Sequence, residues 1–173
     1  MTTRTFVRTV GTLAGATGLL AVLSTSRADA ATATADLAVS ATVSNNCTIS
    51  TAPLAFGAYD PVGAHSAANL NGSGTVIVAC TKNVAPTIAL GLGDNANGAT
   101  RRLTDGSGNF LSYQMYRDAA RTQVWGDAVG DVVAPGPAAS KAPQSFTVYG
   151  TVTSNQDVPA GSYTDTVVAT VNF

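Results

Sequence analysis

The feature that most constrains the fold is a regular alternation of apolar and polar residues close to the N-terminus, over residues 31–43. The odd positions are all apolar: Ala31, Ala33, Ala35, Leu37, Val39, Ala41 and Val43. The even positions are polar, with Ala38 as the one exception. Because side chains alternate across a β-strand, the pattern predicts a strand with one continuous apolar face. Such a strand must be inserted into a sheet, either of its own domain or of another molecule.

A second alternation closes the sequence, over residues 161–173. One face would carry Tyr163, Asp165, Val167, Ala169, Val171 and Phe173, and the other Thr164, Thr166, Val168, Thr170 and Asn172. We predict one long strand here, with no later strand to pair with its free edge. Exposed strand edges recruit other chains, so most proteins protect them.

The composition between these segments favours short strands joined by turns. Charged residues make up 11% of the chain, and all ten acidic residues are aspartate. Gly, Thr, Val, Ala and Ser dominate, which disfavours long surface helices. A turn is predicted at residues 71–74. Further strands are predicted at residues 47–49, 53–57, 75–80, 86–91, 110–116, 123–125, 132–133 and 145–152. This pattern indicates an all-β protein, a β-sandwich.

Residues 1–30 have the form of a secretory signal peptide. Arg4 and Arg8 precede an apolar run at residues 10–23, and residues 28–30 give a small-x-small cleavage site. The alternative is a membrane span, but the run of 14 residues is shorter than the roughly 20 that cross a bilayer. Cleavage would leave six basic and nine acidic residues, a net charge of −3. This charge does not favour nucleic-acid binding.

The only two cysteines are Cys47 and Cys80, and no CxxC motif or His/Cys cluster accompanies them. In an exported protein an even pair predicts a disulfide, with two buried thiols as the alternative. The disulfide would tie the start of the first domain strand to the end of a neighbouring strand.

The sequence resembles the spore coat protein U domain family, which includes the major pilins of archaic, Csu-type chaperone–usher pili. The alternating N-terminal segment before Cys47 and the Phe56-Gly57 and Tyr59-Asp60 pairs carry the resemblance. So do the run at residues 116–122, YRDAART, and the C-terminal GSYTDT…VNF. These features span nearly all of the predicted mature chain. Their order and spacing make the match specific.

The resemblance implies an incomplete immunoglobulin-like β-sandwich that lacks its final strand, in residues 47–173. Residues 31–46 would be a donor-strand extension and turn, with Leu37, Val39, Ala41 and Val43 entering the groove of a neighbour. The acceptor groove, first filled by a chaperone strand, would be lined by Val167, Ala169, Val171 and Phe173. Cys47 and Cys80 would be the structural disulfide. The donor stripe departs from the family by having alanine at several positions, which reduces the apolar area it can bury.

The resemblance also predicts partners and location. The partners would be identical or related pilin subunits, a periplasmic chaperone and an outer-membrane usher, without nucleic acid or stable membrane insertion. The protein would pass through the periplasm to the cell surface, as part of a pilus in adhesion and biofilm formation or of a coat. A secreted monomer whose own N-terminal strand fills its groove, acting as a binding module, is the alternative.

No motif predicts an enzyme, a cofactor or a metal. His65 is expected to be an exposed loop residue, and the Asp94 and Asp105 loops lack the calcium-loop pattern and its distal glutamate. Arg117, Asp118 and Arg121 are expected to form a solvated ion-pair cluster that stabilises a hairpin, with a recognition patch as the alternative. Trp125, with Tyr113 and Tyr116, is expected to pack in the core or an interface, with carbohydrate or surface binding as the alternative.

Overall fold

The computed structural model describes residues 30–173, and within them the regular secondary structure is entirely β. The predicted signal peptide therefore lies outside the described residues, except for Ala30. No helix of the described part is long and apolar enough to span a membrane. Seven strands are present: β1 (Cys47–Ala55), β2 (Leu70–Cys80), β3 (Thr87–Leu90), β4 (Arg101–Thr104), β5 (Phe110–Tyr116), β6 (Gln144–Val152) and β7 (Ala169–Asn172).

Residues 30–46 contain no assigned strand, and their apolar side chains are exposed. Leu37, Val39 and Val43 have 86%, 87% and 83% of their surface accessible to solvent. A β-strand needs a hydrogen-bonded neighbouring strand, and residues 30–46 pair with none among the described residues. The predicted donor strand therefore stays a prediction.

Five strands form one antiparallel sheet in the order β1-β2-β6-β5-β4. The sheet has β6 at its centre, β2 and β5 on either side of it, and β1 and β4 at its edges. Its inner face follows the period of two: even residues of β2 and β6 and odd residues of β5 point into the core. The predicted burial of Leu111, Tyr113 and Met115 on one face of β5 is confirmed.

The second sheet consists of β3 and β7, which run antiparallel. Ile88 and Leu90 of β3 point into the core and are 0% and 3% exposed. They join the inner residues of the larger sheet in one cluster of buried side chains. The cluster includes Val76, Val78, Val84, Leu111, Tyr113, Met115, Trp125, Val148 and Val152. The protein is thus the predicted β-sandwich.

Cys47 and Cys80 form a disulfide, and they lie directly opposite each other in the β1–β2 pair. Their Cα atoms are 4.1 Å apart. The bond therefore joins the first residue of β1 to the last residue of β2, where the sequence placed it.

The turn predicted at residues 71–74 is wrong, because these residues belong to β2. The glycines there allow close packing instead of a turn. A Cβ atom on Gly74 would lie 2.9 Å from the backbone nitrogen of Leu54, and one on Gly72 would lie 2.6 Å from the carbonyl oxygen of Ala55. The β1–β2 register shifts between Ala52 and Ala55, so β1 is irregular where it meets these glycines.

The long C-terminal strand is only partly present. Regular pairing is limited to β7, with an isolated bridge between Thr164 and Thr104. The predicted strands at residues 123–125 and 132–133 are also reduced to single bridges, from Val124 to Tyr116 and from Val133 to Ile88. In contrast, β4 is a strand that was not predicted from the sequence.

The residues weighed as other sites have structural roles. Trp125 is 1% exposed and its Nε1 donates to the carbonyl of Ile88 at 3.0 Å, so core packing is confirmed. His65 is half-buried, contrary to prediction, because its ring stacks on Tyr59 and its Nδ1 accepts a hydrogen bond from the backbone of Asp60.

The ion-pair cluster predicted at residues 117–121 is not formed as expected. The hydrogen bonds of Arg117 lead to the side chain of Gln123 and the carbonyl of Val132. Those of Asp118 lead to Thr122 and Gln123. The charges are therefore satisfied by neutral groups of the surrounding loop.

Candidate functional site

An open groove lies between the two sheets, and its walls are β1 on one side and the C-terminal segment, residues 161–173, on the other. It consists of two cavities, with volumes of about 570 Å³ and about 300 Å³. The larger cavity is bounded by residues 54–59 and 61 and by residues 158–161 and 163–165, among others. The smaller is bounded by residues 51–54 and 165–167, among others. Four side chains line both cavities: Leu54, Phe56, Leu103 and Asp165.

The free edge of the C-terminal segment borders this groove. Val168 and Thr166 accept backbone hydrogen bonds from Gly91 and Asp94, at 2.9 and 3.1 Å, and Thr164 pairs with Thr104. The even-numbered residues therefore turn their backbone groups towards β3 and β4. Because these directions alternate along an antiparallel strand, the odd-numbered residues turn their N–H and C=O groups towards the groove. These groups are where an added strand would bind.

The side chains of the C-terminal segment follow the predicted two faces. Tyr163, Asp165, Val167, Ala169 and Val171 are half-buried, whereas the residues between them are exposed. Half-burial is what an inward face shows when nothing covers it from the groove side. Phe173 is the exception, since 57% of its surface is exposed.

The structure places the predicted acceptor residues in different surroundings. Val167 and Ala169 line the smaller cavity. Val171 packs against the core cluster outside both cavities, and Phe173 lies outside the cluster. Sequence reasoning missed the opposite wall, formed by Leu54 and Phe56, because β1 was predicted as two separate pieces.

The absence of a side chain at Gly150 allows Leu54 and Phe56, on the opposite wall, to pack into the groove. A Cβ atom on Gly150 of β6 would lie 2.7 Å from the Phe56 ring and 2.8 Å from Leu54 Cδ2. The Phe56 ring also meets the Tyr113 ring edge-on, with centroids 5.9 Å apart. These contacts give the open groove an apolar floor.

One polar group interrupts this floor. Tyr113 donates its hydroxyl hydrogen to Asp165 Oδ2 at 2.7 Å, and the backbone and side-chain nitrogens of Asn95 donate to Asp165 Oδ1 at 3.1 and 2.9 Å. Burial and this hydrogen bond raise the pKa of Tyr113 above its ordinary value, since both favour the neutral phenol. A Cβ atom on Gly93, whose φ is +91°, would lie 2.0 Å from Asp165 Oδ2. Glycine at position 93 therefore makes room for the carboxylate.

The β4 edge of the larger sheet, opposite its β1 edge, is closed by Arg101, which is 1% exposed. Its guanidinium donates to the carbonyls of Leu90, Gly91 and Trp125 at 2.8 to 3.0 Å, and to the side chain of Gln114. Burial lowers the pKa of Arg101 from its ordinary value. The residue links β4 and β5 to the end of β3, and so fixes the sheet that carries β7.

Within residues 30–173, no three His, Cys, Asp or Glu side chains gather in a way that could hold a metal ion. The groove therefore offers a long apolar surface, one carboxylate and a row of backbone groups. This arrangement suits the binding of an extended peptide.

Comparison with known proteins agrees with this description. Residues 33–170 match the family described as Spore Coat Protein U domain. The chain is 39% identical over 175 residues to "Protein U" of Myxococcus xanthus, covering 93% of this chain and 96% of that protein.

A solved structure shows a similar fold. It is the crystal structure of a chaperone–tip adhesion subunit pre-assembly complex, CsuC–CsuE, from archaic chaperone–usher Csu pili of Acinetobacter baumannii. The similarity has a TM-score of 0.54 at 20% identity and covers 76% of this chain. The aligned part spans 41% of the solved chain, so the likeness concerns the fold alone.

Proposed function

The chain belongs to the Spore Coat Protein U domain family, and from this premise we propose that it is a structural subunit, without enzymatic activity, that polymerises by donor-strand complementation. In this proposal residues 1–30 are a cleaved signal peptide, residues 31–46 the donor extension and residues 47–173 the β-sandwich domain. The observation that carries the proposal is the open groove beside the free edge of the C-terminal segment. The occupant would be the alternating segment of a second copy.

The two segments match in length and in chemistry. Residues 31–43 and residues 161–173 are both 13 residues long, and each alternates apolar and polar positions. Leu37, Val39, Ala41 and Val43 would enter the groove, and Val167, Ala169, Val171 and Phe173 would form its acceptor wall. Burial of the exposed leucine and valines alone would supply about 2 kcal/mol each.

The position of the N-terminal segment's attachment supports a head-to-tail arrangement. Asn46 accepts a hydrogen bond from Thr81, just after β2, and β3 begins nearby with Thr87 paired to Asn172. The extension thus leaves the domain at the end where β7 finishes. If it runs antiparallel to β7 of the next copy, it enters that groove from the opposite end, near Tyr163. Each copy then contacts the next through different surfaces, which builds an open chain.

A periplasmic chaperone would occupy the open groove before assembly, and an outer-membrane usher would exchange it for the next subunit. The polymer would lie at the cell surface, as a pilus with a role in adhesion and biofilm formation, or as a spore or cell-surface coat. The family description and the fold of the Csu complex support this class of assembly.

The test is deletion of residues 31–43 in cells that export the full chain with its chaperone and usher. We expect the shortened chain to bind the chaperone but to form no fibres by electron microscopy. Val39→Asp should abolish fibres as well, whereas Ser40→Asp, on the polar face, should not. Normal fibres from the shortened chain would contradict the proposal. A stable monomer of the full chain in gel filtration without a chaperone would instead support the self-complemented binding module.

A further inference from the structure

Asp165 occupies a special place in the open groove, because it is one of only four side chains shared by both cavities. It is also the only charged residue among the described residues that line either cavity. Its two oxygens accept hydrogen bonds from Tyr113 and Asn95, so the carboxylate is fixed in position and accepts only. The groove is therefore two apolar compartments separated by a fixed negative charge.

We infer that Asp165 sets the register of the incoming strand, by accepting Ala41 of the neighbouring copy beside it and excluding larger apolar or acidic side chains. This inference rests on the proposed function. A covering strand removes water from the carboxylate, and burying a charge against a bulky apolar group is costly. A small side chain leaves room for water to stay bound, because a carboxylate has more acceptor sites than the three donors fill.

The donor stripe offers one alanine with a branched residue on each side, and that is Ala41, between Val39 and Val43. In an antiparallel register with Ala41 opposite Asp165, Val39 lies beside Val167 and Val43 beside Tyr163. These two branched side chains then fall in the two compartments on either side of the carboxylate, about 7 Å away along the strand.

The rest of the register is complementary in size. Leu37, the largest donor residue, lies beside Ala169, the smallest acceptor residue, and the small Ala35 lies beside Val171. A shift by two residues in one direction puts Val39 against the carboxylate, and a shift in the other direction puts Val43 there. In this register the small side chains of Ala35 and Ala41 match the size and charge of the acceptor residues beside them.

The experiment replaces Ala41 by a charged residue in the full chain, which is exported with its chaperone and usher. Ala41 is exposed in the free chain, so substitutions there do not disturb the folded domain. We expect Ala41→Lys to assemble within about threefold of the wild-type fibre yield, because its ammonium pairs with Asp165. We expect Ala41→Asp to lower the yield at least about tenfold, because two carboxylates face each other in a place with little water.

Ala35→Lys and Ala35→Asp are the matched controls, since the acceptor residue beside Ala35 is Val171 and carries no charge. Both should change the yield to the same extent, because neither charge has a charged partner beside it. A further variant, Asp165→Asn, should restore at least part of the yield of Ala41→Asp but not that of Ala35→Asp. Chaperone binding by each variant verifies that it folds.

The results separate this inference from the proposed function. If deletion of residues 31–43 abolishes fibres but lysine and aspartate at position 41 behave alike, the register is wrong and the polymerisation proposal stands. If lysine is tolerated at position 35 rather than at 41, the register is likewise wrong. If deletion leaves the fibres intact, the proposed function itself fails.

Discussion

The two sides of this β-sandwich close the space between the sheets in opposite ways. At the β4 edge, Arg101 donates to three carbonyl groups, those of Leu90 at the end of β3, of Gly91 and of Trp125, and the Leu90 and Trp125 side chains are almost fully buried. On the other side, β1 and the C-terminal segment leave a groove with half-buried walls and an unpaired strand edge. The first side is closed by residues of the chain itself, whereas the second would be completed by the additional strand that we propose.

This difference shows how an incomplete sandwich can keep a defined shape. The groove wall that we propose as the acceptor includes β7, which is paired only with β3. β3 in turn is fixed by Arg101, by Trp125 and by the bridge from Ile88 to Val133. The closed side therefore stabilises the open side, and substitutions on the two sides should have unequal effects on the free energy of unfolding.

The largest effect is expected from Arg101→Met. Loss of the guanidinium leaves the carbonyls of Leu90, Gly91 and Trp125 buried without a donor, at a cost of about 5 kcal/mol in all. Urea unfolding of the purified protein measures it. Arg102→Met is the matched control, because Arg102 is half-buried and stacks on Phe110, and should cost less than about 1 kcal/mol. Equal losses for the two variants would mean that Arg101 does not close this side.

The disulfide gives the next effect, on the groove side. Replacing Cys47 and Cys80 together by alanine removes a link across a sequence separation of 33 residues. We expect a loss of about 3–4 kcal/mol from the greater freedom of the unfolded chain. Thermal unfolding with and without a reductant should show the same difference for the wild-type protein. A melting temperature that does not respond to reductant would show that the disulfide does not contribute to the stability of the folded protein.

A direct comparison of the two sides uses Ile88 and Val171, which are partners in the β3–β7 pair. Ile88→Ala should cost about 3 kcal/mol, because this side chain is fully buried and leaves a cavity. Val171→Ala should cost less than about 1 kcal/mol in the free chain, because Val171 is only half-buried. The same pair should differ less after assembly, if a partner strand completes the burial of Val171. Chemical unfolding of both states measures this.

The smallest effect concerns pH and the floor of the groove. Because the pKa of Tyr113 is raised in the folded protein, its contribution to stability is complete below about pH 10 and is lost as the pH rises further, when the unfolded chain ionises first. The loss should reach about 1 kcal/mol at pH 11. Tyr113→Phe should show a smaller alkaline loss than the wild-type protein. The same alkaline loss in both proteins would show that Tyr113 does not cause it.

The sequence predicted the parts of the fold that follow directly from side-chain alternation. β5 and the two faces of residues 161–173 are examples, because period-two patterns report which side of a strand is buried. The disulfide was also predictable, since only two cysteines are present. The expectation that the sandwich lacks its final strand came from the family resemblance.

Other features depend on contacts between distant residues and could not be predicted in this way. Gly72 and Gly74 have the composition of a turn, but their role is to admit β1, which is 20 residues earlier in the chain. From the sequence alone, Arg101 would be expected at the surface, because its carbonyl partners come from other parts of the chain. The role of Asp165 likewise depends on Tyr113 and Asn95, from two other parts of the sequence.

The contacts of Arg101 have a consequence for the conditions that the protein tolerates. Three of its partners are backbone carbonyls and the fourth is a side-chain amide, so none of them is protonated in mildly acidic water. The interaction is also buried, where dissolved salt screens it little. We therefore expect the hydrogen bonds of Arg101 to persist in mildly acidic water, in fresh water and in brine.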